Sequence, residues 1–464
     1  MGVRVRGANG EMRGGPRPPR LSALHAVAAG IDFERYFRWR RAREGDPFYV
    51  RFPGFDPVLF TGTPDGAREI FRAPVDALKP PRPNPIEPMV GSASLILTAG
   101  ERHRRDRALL APAFHGTRIR ALAERIRDSV ETEIDGGTTG SEKAWTPGRL
   151  IDSRAAARAI TLRVILEAVL GVDSEGRRAD YIAATAEFLD GFSGPLLLPA
   201  LRLGLFGHAP WDRFLAARDR LDELLRADIA RRRADSATPR PDILSALLNC
   251  TYDDGSPISD ADLCEQLRTL LVAGHETTAT TLVWALFHLH REPELLGPLR
   301  AEVLAAGRGA SATELAGLPY LDAVCQETLR LHPPVPVVLR GLTESFTLRG
   351  VPLAPGDIMG VAVPLLHSDP EIWDEPEQFR PERFLDRGEK GKYSMFEFAP
   401  FGGGHRRCVG ATLAEYELRI ALATIVSRVE LRLTTRYADG AAPLPVPHNI
   451  AAGPRRPIPF EVVG

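Results

Sequence analysis

A mainly α-helical fold with small β-sheets, an α+β architecture, is predicted by three features of the 464-residue sequence. Apolar residues recur at helical spacing through most of the stretch from His103 to Ile425, between breaks rich in proline and glycine. One of these patterns runs for about 30 residues, far beyond the usual three turns. Strand-like segments are short by contrast, and residues 48–52 and 58–61 are where β-branched and aromatic residues gather.

Taken in order, residues 1–20 are rich in glycine, proline and arginine and read as a mobile arm. Residues 21–464 read as one domain, since neither an internal repeat nor a long linker divides them. Residues 21–31 are mostly apolar, interrupted by Ser22 and His25, and are too short to span a bilayer. Five prolines between Lys79 and Pro88 impose a loop. Ser259 followed by Asp262 resembles a capping box. Beyond it Leu263, Leu267, Leu270 and Leu271, then Leu282, Leu286 and Leu289, keep helical spacing up to Pro293. The middle of that helix, Ala273-Gly274-His275-Glu276-Thr277-Thr278, is poor core material. Glycine costs about 1 kcal/mol in a helix interior, and an acid beside threonines in the most buried helix marks a site.

A second helix between Pro319 and Pro333 carries Glu327 and Arg330 on one face, and the proline-rich residues 333–338 that follow must be extended. Last comes Phe401-Gly402-Gly403-Gly404-His405-Arg406-Arg407-Cys408-Val409-Gly410. Its three glycines can adopt positive φ and let the backbone approach a flat ligand closely. Cys408 then opens a helix marked by Ala414, Leu418, Ala421 and Ile425, whose N-terminus and flanking arginines favour a thiolate.

Composition excludes several classes. With 44 % apolar residues and a net charge of −1 the chain is not a disordered one, and 59 basic residues against 60 acidic ones give no case for nucleic-acid binding. Cys250, Cys264, Cys325 and Cys408 show neither CxxC nor zinc-finger spacing. The chain reads as cytoplasmic, monomeric and without a membrane anchor.

The run Phe401-x-x-Gly404-x-Arg406-x-Cys408-x-Gly410 resembles the haem-binding signature of the cytochrome P-450 family, the haem-thiolate monooxygenases. Three further segments agree in order. Ala273-Gly274-x-Glu276-Thr277-Thr278 is similar to the family's oxygen-activation motif, and Glu327-x-x-Arg330 to its Glu-x-x-Arg motif. Phe379-Arg380-Pro381-Glu382-Arg383-Phe384 is similar to the segment whose arginine joins that ion pair. The resemblance extends from about residue 30 to the C-terminus.

The resemblance implies one haem b between the long central helix and the cysteine helix, with Cys408 as axial iron ligand and Ala273, Phe401, Gly402 and Gly410 around it. Dioxygen is the co-substrate, and one oxygen atom is inserted into a hydrophobic small molecule by hydroxylation or epoxidation. His103 and Arg107, four residues apart, resemble the propionate clamp together with Arg340 and Arg406, because the guanidinium fork suits carboxylates. A solvated basic face is the plain alternative for residues 103–107. Glu327, Arg330 and Arg383 are expected to form a buried structural network. Thr277 is expected to bond the Ala273 carbonyl and open the helix there, with Glu276 relaying protons from solvent.

By position, Val272, Val337, Val338 and Ile450 should line the substrate pocket with parts of residues 79–97 and 188–211. These are mostly apolar, which suits a terpenoid, steroid, fatty acyl chain or polyketide of secondary metabolism. Residues 196–201 read as a packed loop rather than a lid touching lipid or a partner. Too few residues follow Cys408 for a fused reductase, so electrons should come from a separate ferredoxin or flavodoxin with its NAD(P)H reductase. Such a partner is expected to dock over His405, Arg407, Arg104 and Arg105. Two other readings compete: a peroxide-dependent haem-thiolate enzyme, and a non-catalytic haem carrier or sensor. The intact Glu276-Thr277 pair counts against both.

Overall fold

The computed structural model describes residues 4–6, 12–14, 25, 28–29, 32–51, 56–137, 144–192, 196, 201–204, 209–235, 240–307, 309–385, 391–438, 440–448 and 450–464. Within the N-terminal arm, Arg4–Arg6 and Met12–Gly14 pair as a two-stranded antiparallel ladder. Helices dominate the rest, as the periodicity predicts.

The longest is the central helix Asp260–Arg291, 32 residues. Ser259 caps it by accepting the Asp262 N–H at 3.1 Å. The capping box is only half made, because the Asp262 carboxylate turns instead to Arg102 at 2.9 Å. The helix ends at Pro293, whose ring favours the start of a new helix at that position. It is shared between two cores. Leu263, Leu267, Leu271 and Val272 belong to one; Ala279, Leu282, Trp284, Leu286 and Leu289 belong to the other. Between these blocks lie the polar residues 275–278.

The predicted opening of this helix at Ala273-Gly274 is not formed: it is regular α-helix throughout. Gly274 has another reason to be glycine. A Cβ there would come within 2.6 Å of Ile165 Cδ1. Ile165 begins the π-turn Ile165–Val169 that follows the helix Ser153–Val164. Glycine therefore lets two helices approach, which offsets its low helix propensity.

The main sheet has five strands in the spatial order Phe48–Val50, Val58–Thr61, Ile358–Ala362, Val337–Leu342, Leu78–Lys79. Only the contact of Val58–Thr61 with Ile358–Ala362 is parallel. This sheet matters to the site because it carries Arg340, opposite Met359. Along Val337–Leu342 the side chains alternate. Val338 packs with the core of Leu59, Phe71 and Met359, whereas Val337 and Leu339 pack with Phe37, Phe48 and Phe60.

The cysteine helix Ala411–Arg428 packs along the central helix. Its Leu413, Tyr416 and Ile420 share one core with Leu267, Leu271 and Val272. Behind both, Glu327 is completely enclosed. Its carboxylate receives Arg330 Nε and Nη2 at 2.7 Å each, the Arg380 N–H at 2.8 Å and Arg383 Nε at 3.1 Å. Arg330 also donates to the carbonyls of His367, Pro376 and Gln378. Among the described residues no helix is long and apolar enough to cross a membrane.

Candidate active site

The loop before the cysteine helix is built by backbone constraints. Gly402 and Gly404 have φ of 66° and 68°, a region that disfavours other residues. A Cβ on Gly403 would lie 2.3 Å from the Phe71 ring, and one on Gly404 would lie 2.3 Å from the Phe71 carbonyl oxygen. These two glycines thus serve close packing on the helix Pro64–Phe71, not the ligand approach read from the sequence. Gly402 is different: its nearest neighbour would be Val338 Cγ2 at 3.6 Å. A turn at Gly404–Arg406 follows, and the Cys408 N–H closes the loop on the Phe401 carbonyl at 3.0 Å. Cys408 precedes the helix by three residues rather than opening it, with Gly410 as N-cap.

The Cys408 side chain is accessible at its surface, yet protein atoms crowd around it. Burial pushes its pKa up, while the Gly410 N–H and the charges of Arg407 and Arg107 pull it down. These donors favour the thiolate that a metal requires.

Beside the thiol gathers a group of basic residues. His103 and Arg107 project from the helix Gly100–Leu110, Arg340 from the sheet, and His405 and Arg406 from the loop. The His103 and His405 rings meet edge to face at 5.8 Å. Burial, then Arg406, His405, Arg107 and Arg340, push His103 down to about 3. Burial and Arg406 hold Arg340 at about 9, and burial and Arg107 hold Arg406 at about 10. The sequence placed His405 on an exposed docking face. The structure turns it inward, where burial and the three arginines push it to about 4.

Part of this cationic group is spent on backbone. Arg340 donates to the Leu339 carbonyl at 2.9 Å and the Gly403 carbonyl at 3.4 Å, and Arg406 donates to the carbonyls of Ile96 and Thr98. Arg406 Nε, His405 Nε2 and Thr98 Oγ1 are buried without a partner. Buried orphan donors beside uncompensated positive charge fit a ligand that brings carboxylates. The thiol and these donors together suit haem, with its iron and two propionates.

The central helix contributes a half-buried stripe of Leu270, Ala273, Gly274 and Thr277, set among buried neighbours. Thr277 Oγ1 donates to the Ala273 carbonyl at 2.7 Å, as the sequence predicts. Glu276 leaves the helix in another direction. Its Oε1 is 2.7 Å from Arg158 Nη2 on the helix Ser153–Val164. Burial raises its pKa, and Arg158 works against that.

Several pocket expectations change. Val272 is fully buried in the core and does not belong to the stripe. Val337 points away from the loop, since Val338 is the neighbour that meets Gly402. Ile450 is half-buried against the first core. Of residues 196–201 only Leu196, buried, and Leu201, exposed, lie among the described residues. Arg202 ties this region down, donating to the Leu196 carbonyl at 2.8 Å and the Pro85 carbonyl at 2.7 Å. Arg104 is exposed as expected and Arg105 is half-buried, but acids already match both. Arg104 pairs with Asp76 at 3.0 Å and Glu101 at 2.8 Å, and Arg105 pairs with Asp254 at 2.9 Å.

The family model for Cytochrome P450 matches residues 14–439. Cytochrome P450 135B1 of Mycobacterium tuberculosis is 34 % identical over 428 residues, which is 91 % of this chain and 87 % of that protein. Cytochrome P450 135A1 of the same organism is 32 % identical over 450 residues, covering 95 % and 93 %. Among solved structures, the retinoic acid bound cyanobacterial CYP120A1 superposes with a TM-score of 0.80 at 24 % identity, over 96 % of this chain and 99 % of that one. That last likeness concerns the fold.

Proposed function

The chain belongs to the cytochrome P450 family, the haem-thiolate monooxygenases, and from that premise we propose that Cys408 ligates haem iron in a single catalytic domain spanning residues 21–464. The observation that carries the assignment is the uncompensated cationic group beside the thiol. His103, Arg107, Arg340 and Arg406 hold the two propionates, with His405 added to the set. Bound haem supplies a thiolate-ligated iron able to activate dioxygen for transfer of one oxygen atom.

The protein's own residues then do three things. Burial raises the Cys408 pKa, and the Gly410 N–H and nearby arginines work against that in favour of the thiolate. The half-buried stripe of Leu270, Ala273, Gly274 and Thr277 offers a small, mostly apolar wall, which favours a hydrophobic substrate such as a terpenoid, steroid, fatty acyl chain or polyketide. Thr277 Oγ1 donates its hydrogen bond to the Ala273 carbonyl, so its lone pairs remain as acceptors for a water, and Glu276 supplies protons to that side. Electrons come from a separate ferredoxin or flavodoxin with its reductase.

The reduced protein with carbon monoxide is expected to show the absorption band that names the family, and Cys408→His to lose it. A normal band in Cys408→Ala would place the ligand elsewhere. Thr277→Ala is expected to bind substrate and consume NADPH with added redox partners, while much of the oxygen leaves as hydrogen peroxide. Full coupling of NADPH to product in that variant would remove the hydroxyl from proton delivery.

A further inference from the structure

His275 stands between two helices with one nitrogen committed and the other bare. Its ring is buried, and Nε2 lies 3.0 Å from the Arg158 carbonyl oxygen. A carbonyl oxygen only accepts, so Nε2 must carry the hydrogen, and in a neutral imidazole Nδ1 is then an unprotonated acceptor. The backbone is pinned as well, since Thr161 Oγ1 donates to the His275 carbonyl at 3.1 Å. Nδ1 has no hydrogen-bond partner. It faces Glu276 Oε1 across 3.6 Å, and that oxygen likewise lacks an aligned donor. Two acceptors facing each other in a buried site repel unless a proton lies between them.

We infer that His275 is a positioning residue for Glu276: its Nδ1 accepts a hydrogen bond from the protonated Glu276 carboxyl, so the acid stores one proton behind the Thr277 stripe. The inference rests on the reading of Glu276 as a proton source.

Glu276 then has a separate partner for each protonation state. Ionised, it pairs with Arg158 at 2.7 Å. Protonated, it closes the short gap to Nδ1 and donates to it. Uptake of one solvent proton at Oε1 breaks the ion pair and forms Oε1–H···Nδ1. Release of that proton toward the Thr277 side restores the ion pair, and His275 stays neutral throughout. Burial favours this division, since it raises the Glu276 pKa and pushes His275 down to about 3. The other titratable groups acting here are Arg154 on the helix Ser153–Val164, Asp152 at the N-cap of that helix, Asp190 on the helix Glu175–Gly191, and His448 on the strand Pro445–His448. Arg154 and Arg158 together are matched by Asp152 and Asp190, so protonation of Glu276 brings this group of charges to balance.

Infrared difference titration of the full-length protein tests this. The carboxylic C=O band of Glu276 is the one lost in Glu276→Gln, and its pH midpoint is followed. His275→Gln keeps an N–H for the Arg158 carbonyl but removes the Nδ1 acceptor. Its midpoint is expected to fall by about one pH unit, a tenfold loss of proton affinity, because a hydrogen bond to the neutral acid raises a carboxyl pKa. His275→Asn keeps an acceptor at the Nδ1 position and is expected to titrate like the unaltered protein. In the haem-loaded enzyme the descending limb of the kcat–pH profile should move down with His275→Gln alone. An unchanged midpoint in His275→Gln, or an equal fall in both variants, would overturn the inference. A fall in His275→Gln together with full coupling in Glu276→Gln would uphold the proton-sharing pair and remove Glu276 from proton delivery.

Discussion

Two arginine-rich regions of this molecule differ in one respect, whether an acid is present. Around Glu327, two buried arginines share one buried carboxylate, and their remaining donors reach carbonyls. Around Cys408, three arginines and two histidines gather, and among the described residues Asp76 is the carboxylate that acts on one of them, raising His405. Balanced buried charge holds a fold together, whereas unbalanced buried charge is a binding site awaiting an anion. The same residue type has opposite consequences in the two places.

The sharpest way to break the comparison is to unbalance the first region. Glu327→Gln leaves Arg330 and Arg383 buried without a counter-charge, and a loss of about 3–5 kcal/mol in urea unfolding is expected. A loss below 1 kcal/mol would mean the network is replaceable. Next, Arg340→Met removes one cation from the second region. Haem affinity is expected to fall about ten- to a hundredfold, as for loss of a charge-assisted hydrogen bond, while the melting temperature of the haem-free protein holds or rises. A haem-free protein that melts earlier would show that Arg340 is structural after all.

The third effect is on pH. The folded His103 has its pKa depressed from the usual 6.5 to about 3, so the unfolded chain binds the proton first as pH falls. Stability of the haem-free protein should therefore decline from about pH 6.5 downward, at up to about 1.4 kcal/mol per pH unit from this one group. His103→Gln should flatten that decline, and bound haem should flatten it too by bringing carboxylates. An equal slope in His103→Gln would assign the acid sensitivity to the other buried histidines. The smallest effect concerns the exposed pairs. Arg104→Glu should leave the melting temperature unchanged and slow reduction by an acidic ferredoxin at low salt only, since charge steering is screened within ~3 Å at 1 M salt. Reduction rates independent of salt would exclude this face as the dock.

The sequence made legible whatever is local. The central helix, the Glu327-x-x-Arg330 pair and the cysteine loop announce themselves through period, spacing and glycine content. The Thr277 bond to Ala273 follows from helix geometry alone. What stayed hidden depends on partners far away in the chain. Gly274 reads as an opening until Ile165 is seen against it, and Gly403 and Gly404 read as ligand contacts until Phe71 is seen there. Arg158 lies in no motif, so nothing marked it as the partner of Glu276. Val337 and Val338 could not be told apart without knowing which face of the strand meets the loop. His405 could have been placed only by knowing that it meets His103.

The contact of Phe71 with Gly403 and Gly404 has a consequence for how haem is acquired. The ring and its carbonyl fill the space behind the loop, so the chain there is fixed by its own packing before any ligand arrives. The conformational entropy of ordering it is met during folding rather than during binding, which makes capture of the prosthetic group tighter. Haem loading is then an insertion into a rigid seat rather than a folding event around a template.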